Sequence, residues 1–431
     1  MIPKIEQATK AEIKIFQEEK LAELLVYLQE NSSYYQQVFK KHNIAISSIK
    51  TLEDLTKIPT TSKDQLQAYN DEFLCVPKNQ VIDYVTTSGT LGDPVTFALT
   101  EKDLERLAYN EALSFACSGV TENDVMQLMT TMDRRFMAGL AYFLGSRKLG
   151  AGMIRVGAGI PELQWDSILK FNPTYLIVVP SFLLKLIEFA KQHDIDINKS
   201  GVKGAICIGE PLRNQDFTPN ALSEKITDEW NIQLYSTYAS TEMNTAFNEC
   251  EAQQGGHHHP ELIIAEILDD SENPVIAGEV GELTITTLGI EGMPLLRFKT
   301  GDMVQAHHDA CTCGRTTMRL GPVVGRKKQM IKYKGTTLYP PAMDNILNDF
   351  NAVHSYVIEI SNNSIGTDEI CIKIATDTPT EKLLLSIKDH FRAKLRVAPK
   401  IEFHDRKVIQ KLQFPAMSRK PIMVIDNRKK D

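Results

Sequence analysis

The sequence has no apolar run approaching the roughly 20 residues that a membrane-crossing helix needs. Its start, Met1-Ile2-Pro3-Lys4-Ile5-Glu6, has no apolar stretch of the kind that directs secretion. Positive charge is in deficit. Lys and Arg number 48 against 55 Asp and Glu, a formal net charge of −7, and no basic stripe could neutralise a phosphate backbone. These absences argue against membrane and nucleic-acid partners and for a cytoplasmic location. The terminal Arg428-Lys429-Lys430 reads as a solvated tail. Cysteine is too sparse for a disulfide framework, with seven in 431 residues. Cys75, Cys117, Cys207 and Cys371 stand alone and read as small core residues. Internal repeats and low-complexity segments are missing too. What remains is a chain 42% hydrophobic and 24% charged, ordinary for a globular protein of about two to three domains.

The apolar pattern alternates between strand and helix. Residues 11–29 read as an amphipathic helix of mixed charge. Residues 83–86 read as a short strand, 101–117 as a helix, 125–129 as a strand and 137–149 as a helix. Tyr175-Leu176-Ile177-Val178-Val179 is a continuous apolar run, the mark of a strand buried on both faces. Helical spacing follows over 182–191, and 205–208 and 232–235 repeat the buried-strand pattern. The alternation predicts an α/β fold with a substantial parallel sheet. From about 262 the pattern turns β-rich, with strands at 263–268 and 281–286. After Gly325-Arg326 comes a small α+β unit with helices at 341–349 and 380–394. The expected domains are 1–327, including a β-rich subdomain over about 250–325, and a mobile 328–431.

Several short segments carry chemistry. Thr86-Thr87-Ser88-Gly89-Thr90-Leu91-Gly92 follows a strand; its glycines allow tight turning, and its hydroxyls and backbone N–H groups could face phosphate oxygens. It lacks the Gly-Lys-Ser/Thr ending of a Walker loop, and taken alone it reads more readily as a polar hairpin. Tyr238-Ala239-Ser240-Thr241-Glu242 follows another strand and brings a carboxylate suited to a hard cation; alone, Thr-Glu is also a common helix start. Thr300-Gly301-Asp302 offers a carboxylate able to accept from two neighbouring hydroxyls, or simply a surface turn. Cys250, His257, Cys311 and Cys313 supply three sulfurs and an imidazole, a donor set that suits tetrahedral zinc. The alternative is three buried thiols beside a polyhistidine surface.

In this order the segments resemble those of the adenylate-forming superfamily, the acyl-CoA synthetases and their relatives, and most of all the phenylacetate–CoA ligase family. That family's loop reads approximately Ser-Ser-Gly-Thr-Thr-Gly-Lys-Pro, and here Asp93 stands where its lysine is. The resemblance implies that Thr87, Ser88, Gly89, Thr90 and Gly92 bind ATP phosphates. Gly209, Glu210 and Pro211 would line the adenine site, Tyr238 and Ala239 would meet adenine, Thr241 would contact the α-phosphate and Glu242 would bind magnesium. Asp302 would hold the ribose, Arg326 would meet the nucleotide and Lys328 would be a hinge, with Lys327-Lys328 where many phenylacetate-type ligases carry Asp-Asp. Arg297 belongs to the same motif as Asp302. Lys420, before Ile422-Met423-Val424-Ile425, would bridge the acid's carboxylate and the α-phosphate. Met423 stands where an arginine is usual, and Arg419 competes for the lysine's role. Some relatives share the Glu-Cys, Gly-x-His and Cys-x-Cys-Gly-Arg elements, which favours His257 over His258 or His259 as a zinc ligand.

The implied activity is ATP-dependent activation of a carboxylic acid, aryl or related, as an acyl-adenylate, followed by transfer to coenzyme A. An acyl carrier protein or an amine is an alternative acceptor, and a catalytically inactive nucleotide-binding relative is a further alternative. The acid pocket is expected at Arg134, Phe136, Met137, Gly139 and Tyr238, with paired arginines where phenylacetate enzymes carry an aromatic, glycine-rich stretch. Family members are often dimers.

Overall fold

A computed structural model describes residues 2–87, 95–333, 336–363, 368–414 and 422–428. Ser88, Gly89, Thr90, Gly92, Asp93, Gly335, Arg419 and Lys420 therefore lie outside the described residues. The chain divides into two compact units, Met1–Thr300 with Val304–Pro322, and Gly301–Met303 with Val323–Asp431. No helix among the described residues is long and apolar enough to cross a membrane.

The first unit opens with α1 (Lys10–Asn31), α2 (Ser33–Lys41) and α3 (Lys63–Ala68). Strands β1 (Asp83–Thr86) and β2 (Thr96–Leu99) pair antiparallel around the glycine-rich segment. Strand and helix then alternate as α4 (Glu101–Cys117), β3 (Val125–Leu128), α5 (Met137–Leu149), β4 (Gly152–Arg155), α6 (Pro161–Phe171), β5 (Tyr175–Val178), α7 (Pro180–Gln192), β6 (Gly204–Ile208), α8 (Ala221–Thr227) and β7 (Gln233–Ser240). Local chemistry sets the ends. Thr100 and Asp103 close a capping box on α4, and Gly150, at φ 87, ends α5 in the left-handed conformation.

Strands β4-β3-β5-β6-β7 are parallel neighbours. Successive strand residues point to opposite faces, and the core divides accordingly. Leu176, Val178, Ala205 and Cys207 pack with Trp165, Leu183, Leu186 and Trp230. Tyr175, Ile177 and Ile206 pack on the other side with Phe115 and Tyr142. Both faces are covered, which is why these strands read as continuous apolar runs.

The strands that follow are β8 (Thr245–Glu249), β9 (Gly256–His257), β10 (Ile263–Leu268), β11 (Val280–Thr287), β12 (Phe298–His307) and β13 (Arg319–Leu320). The β-rich stretch does not stand apart as a separate sheet: its strands prolong the parallel one along β7-β8-β9-β13-β12-β11-β10. Ile208 faces Thr237 across the parallel pair, and β7 runs on past the end of β6 to form an antiparallel ribbon with β8.

In the second unit β14 (Gly325–Arg326) pairs with Asp302 and Met303 of β12. A hairpin of β15 (Ile331–Tyr333) and β16 (Thr336–Leu338) leads to α9 (Pro340–Asn348). Then come β17 (Ser355–Asn362), β18 (Asp368–Ala375), α10 (Glu381–Leu395), β19 (Lys400–Phe403), α11 (Arg406–Gln413) and β20 (Val424–Asp426). The sheet order is β19-β18-β17-β20. Ile358, Ile360, Ile372 and Ile374 face Met343 of α9 and Phe391 of α10, while Val357 and Ala375 face Ile409 of α11.

Candidate active site

In an open parallel sheet, ligands gather beyond the carboxyl ends of the strands. At that end of β6 the chain turns at Gly209, whose φ of 77 favours glycine and beside which lies open space. Glu210 accepts from the backbone N–H and hydroxyl of Ser181, both at 2.9 Å, which ties the turn to the start of α7. Asn220 Nδ2 donates to the Pro211 carbonyl at 2.8 Å. On β7, Tyr238 lies one residue beyond the partner of Ile208, so it and Ala239 stand beside this turn. The Tyr238 ring is half-buried, 6.1 Å from that of Phe247. Thr241 and Glu242 occupy the tight turn between β7 and β8, not the start of a helix. The turn is held by Met243 N–H on Ser240 Oγ at 3.3 Å and by Asn244 Nδ2 on the Thr241 carbonyl at 3.3 Å. Glu242 is buried, and Lys63 Nζ lies 3.0 Å from its Oε1.

Thr87 is buried where the glycine-rich segment begins. Its hydroxyl accepts from Val95 N–H at 3.1 Å, and its own N–H donates to the Val95 carbonyl at 3.0 Å. Thr86 N–H bonds the Arg135 carbonyl at 3.0 Å, which fastens the expected acid-binding segment to β1. Arg134 and Arg135 both adopt positive φ, 60 and 59, and both are exposed; Arg134 Nε sits 3.8 Å from Asp133. Phe136 precedes α5 and is exposed, whereas Met137 is buried. Gly139 lets α5 lie against this segment, because a Cβ there would come within 2.0 Å of the Thr131 carbonyl oxygen.

In the second unit, pairing of Asp302 with Arg326 brings Arg326 Nε to 3.4 Å from Asp302 Oδ1. Gly301 precedes them at φ 79. Lys328 lies in a short 3-10 turn, Lys327–Gln329, and its carbonyl accepts from Arg428 Nη2 at 3.3 Å. Arg297, which the sequence groups with Asp302, is only 1% exposed in the first unit. Its guanidinium meets Glu266 at 3.0 and 3.1 Å and donates to the Ile58 carbonyl at 2.5 Å, so it acts as an internal brace.

The four metal-ligand candidates converge. The ligand atoms of Cys250, His257, Cys311 and Cys313 all lie within 4.8 Å of one another. β9 is held between β8 and β13, which brings the end of β8, His257 and the loop before β13 together. A Cβ on Gly256 would meet the Phe247 carbonyl at 2.6 Å, so glycine permits that approach. Cys250 Sγ is 3.5 Å from Cys311 Sγ, and Cys313 Sγ is 3.4 Å from His257 Nε2. Zinc–sulfur bonds of about 2.3 Å in a tetrahedron place sulfurs about 3.8 Å apart, so the set fits zinc. His257 Nδ1 is 3.1 Å from Thr317 Oγ1, which orients the ring. Burial raises the Cys313 thiol, but bonds from His257 and Arg315 more than reverse this and hold it at about 5. Arg315 continues inward to Glu6 at 2.6 Å, and Glu6 also meets His259 Nδ1. Burial pushes the Glu6 carboxyl up, and His259 and Arg315 outweigh it, bringing it to about 2.

Residues 6–291 match the family model described as AMP-binding enzyme. The chain belongs to the AMP-binding enzyme family. Among curated members, it is 28% identical over 382 residues to a phenylacetate-coenzyme A ligase of Thermus thermophilus, covering 88% of this chain and 84% of that one. It is 26% identical over 381 residues to the phenylacetate-coenzyme A ligase of Escherichia coli, covering 86% and 84%. Among solved structures, a 2-hydroxyisobutyryl-CoA ligase in its postadenylation state has the same fold, with a TM-score of 0.85, 22% identity and coverage of 99% and 92%. Within this AMP-binding enzyme, Lys63 had no signal in the sequence, because only the fold brings it to a carboxylate 179 residues away.

Proposed function

We propose that this chain is an AMP-forming acid–CoA ligase. The observation that carries the reading is the meeting, beyond the carboxyl ends of β6 and β7, of the Gly209-Glu210-Pro211 turn and the Tyr238–Glu242 hairpin in an AMP-binding enzyme. In the first step a carboxylate oxygen attacks the α-phosphorus of ATP. The oxygen–phosphorus bond forms as the bond to the bridging oxygen breaks, and pyrophosphate leaves with the electron pair. Tyr238 and Ala239 receive adenine beside Gly209, Thr241 meets the α-phosphate, and Asp302 with Arg326 serves the ribose and nucleotide. Glu242 would hold magnesium, which when bound neutralises phosphate charge; one carboxylate completed by phosphate and water oxygens suits that ion. Lys420 would steady the acid's carboxylate against the α-phosphate. In the second step the thiol of coenzyme A attacks the acyl carbon and AMP leaves. Movement about Lys328, between segments 1–327 and 328–431, would separate the steps.

Cys250, His257, Cys311 and Cys313 would hold a structural zinc, since four protein donors leave no open position. The acid differs from phenylacetate in carrying a second polar group, met by Arg134 or Arg135; their paired positive φ and the anchor to Thr86 support this. Equal turnover of phenylacetate by the wild type and by the Arg134→Ala/Arg135→Ala variant would count against it. The main experiment is pyrophosphate release from MgATP across a panel of aryl, hydroxyaryl and short-chain acids, with and without coenzyme A. The expected result is release that depends on one class of acid and turns over only with coenzyme A. Release that stops after one adenylate would instead assign another acceptor.

A further inference from the structure

We propose that Lys63 is a polyphosphate-binding residue of the adenylation step, transferred from Glu242 to the β- and γ-phosphates when magnesium and ATP enter. The inference rests on the reading of Glu242 as the magnesium carboxylate. The Glu242 side chain is 9% exposed and fixed in its turn, while that of Lys63 is 47% exposed and reaches it across 3.0 Å. An ammonium and a divalent cation compete for the same carboxylate oxygen, and a hard divalent ion prevails once phosphate oxygens share it. The Lys63 ammonium, released from Glu242, would then be available to phosphate oxygens.

The root of Lys63 is anchored. Thr61, two residues earlier, forms a parallel bridge with Phe298: its N–H donates to the Arg297 carbonyl at 2.8 Å, and its carbonyl accepts from Lys299 N–H at 2.9 Å. The Thr61 hydroxyl donates to the Leu296 carbonyl at 2.9 Å. Ser62 and Gln65 close a capping box, so Lys63 begins α3 on a fixed backbone. Only the four-carbon stem has to move, which suits a compact, mobile point charge.

Charge balance gives the residue work to do. From Thr86 to Pro94 the glycine-rich segment contains no lysine or arginine, and its one charged residue is Asp93. Nearby, Arg297 is committed to Glu266 and the Ile58 carbonyl, and Lys299 lies 3.1 Å from Glu272 and 3.4 Å from Glu282. Among the described residues, Lys63 is the half-exposed cation paired with Glu242. Positioned on the leaving pyrophosphate, it offsets the charge that develops as the bridging bond breaks.

The test compares wild type, Lys63→Met and Lys63→Arg by calorimetric binding of MgATP, magnesium pyrophosphate and AMP, with Mn2+ binding to the nucleotide-free protein followed by electron paramagnetic resonance. Lys63→Met should weaken MgATP and magnesium pyrophosphate about tenfold or more and leave AMP within about twofold. Lys63→Arg should recover most of the loss. Mn2+ should bind Lys63→Met severalfold tighter, because its competitor for Glu242 is gone. A merely structural lysine would weaken AMP as well and would not tighten Mn2+. Wild-type preference for MgATP over AMP in Lys63→Met overturns the proposal. Failure of the wild type itself to bind MgATP or AMP overturns the ligase reading, and this inference with it.

Discussion

Glu111 gives the sharpest physical prediction. It lies on α4 against α5, so close that a Cβ on Gly145 would come within 2.3 Å of the Glu111 Cβ. One carboxylate oxygen accepts from Asn110 Nδ2 at 3.0 Å, and the other is buried with no hydrogen-bond partner. Burial raises its pKa from 4.5 to about 8, against the smaller opposing effects of Asn110 and His259. The sign follows from linkage. The folded state holds the proton more tightly than the unfolded chain, so the associated stability is fully present below about pH 4.5 and is lost as pH rises toward 8. At about 1.4 kcal/mol per tenfold change in proton affinity, the full loss is on the order of 5 kcal/mol, an upper bound if the ion stays dry. Glu111→Gln replaces the acid with an amide that never ionises. The protonated acid and the amide are alike in shape and both are neutral, the acid with one donor and the amide with two, so the two proteins should melt close together near pH 5. At pH 8.5 the variant should melt higher. With about 2 cal/mol/K of unfolding entropy per residue over a unit of about 320 residues, the gap approaches 8 °C. Differential scanning calorimetry at pH 5, 6.5 and 8.5 measures it. Asp344, whose pKa burial raises to about 7, acts in the same direction but in the second unit and is common to both proteins. Parallel curves for wild type and variant across this range would refute the reasoning.

Other outcomes are open to measurement. Elemental analysis should find one zinc per chain, with less than about a tenth of that in Cys250→Ala or Cys313→Ala, and stripping the metal should lower the melting temperature by several degrees. Glu242→Gln should slow acid-dependent pyrophosphate release by roughly 100-fold or more and raise the magnesium requirement, with little change in melting. Arg297→Leu leaves the partly buried Glu266 without its guanidinium and should cost about 3 kcal/mol of stability, seen as a lower midpoint in urea; a selective change in ATP binding at unchanged stability would contradict its role as a brace.

The parts of the fold that were readable in the sequence are those set by local chemistry. Residues 101–117 and 137–149 form helices over those spans because a capping box opens the first and Gly150 closes the second. The run at Tyr175 is a strand because both its faces are covered. The extension of β7 through Tyr238 to Ser240 was less visible, since that end pairs with β8 and its residues are not uniformly apolar. The cysteines and His257 were legible as a donor set, because few other roles bring three thiols and an imidazole together. Arg297 shows the limit of motif reading: the sequence grouped it with Asp302 and gave it no role, and only the fold reveals Glu266. Lys63 shows the opposite case, ordinary in sequence and placed at Glu242 by a bridge to Phe298.

The buried carboxylate of Glu6 imposes an order of events on synthesis. Its ion-pair partner Arg315 lies 309 residues downstream and His259 lies 253 downstream. At roughly 5–20 residues per second on the ribosome, the first segment waits on the order of 15–60 seconds for its guanidinium to be made. Through that interval the amino-terminal end has no completed seat. Its seat can therefore close only after the residues of all five parallel strands have been made.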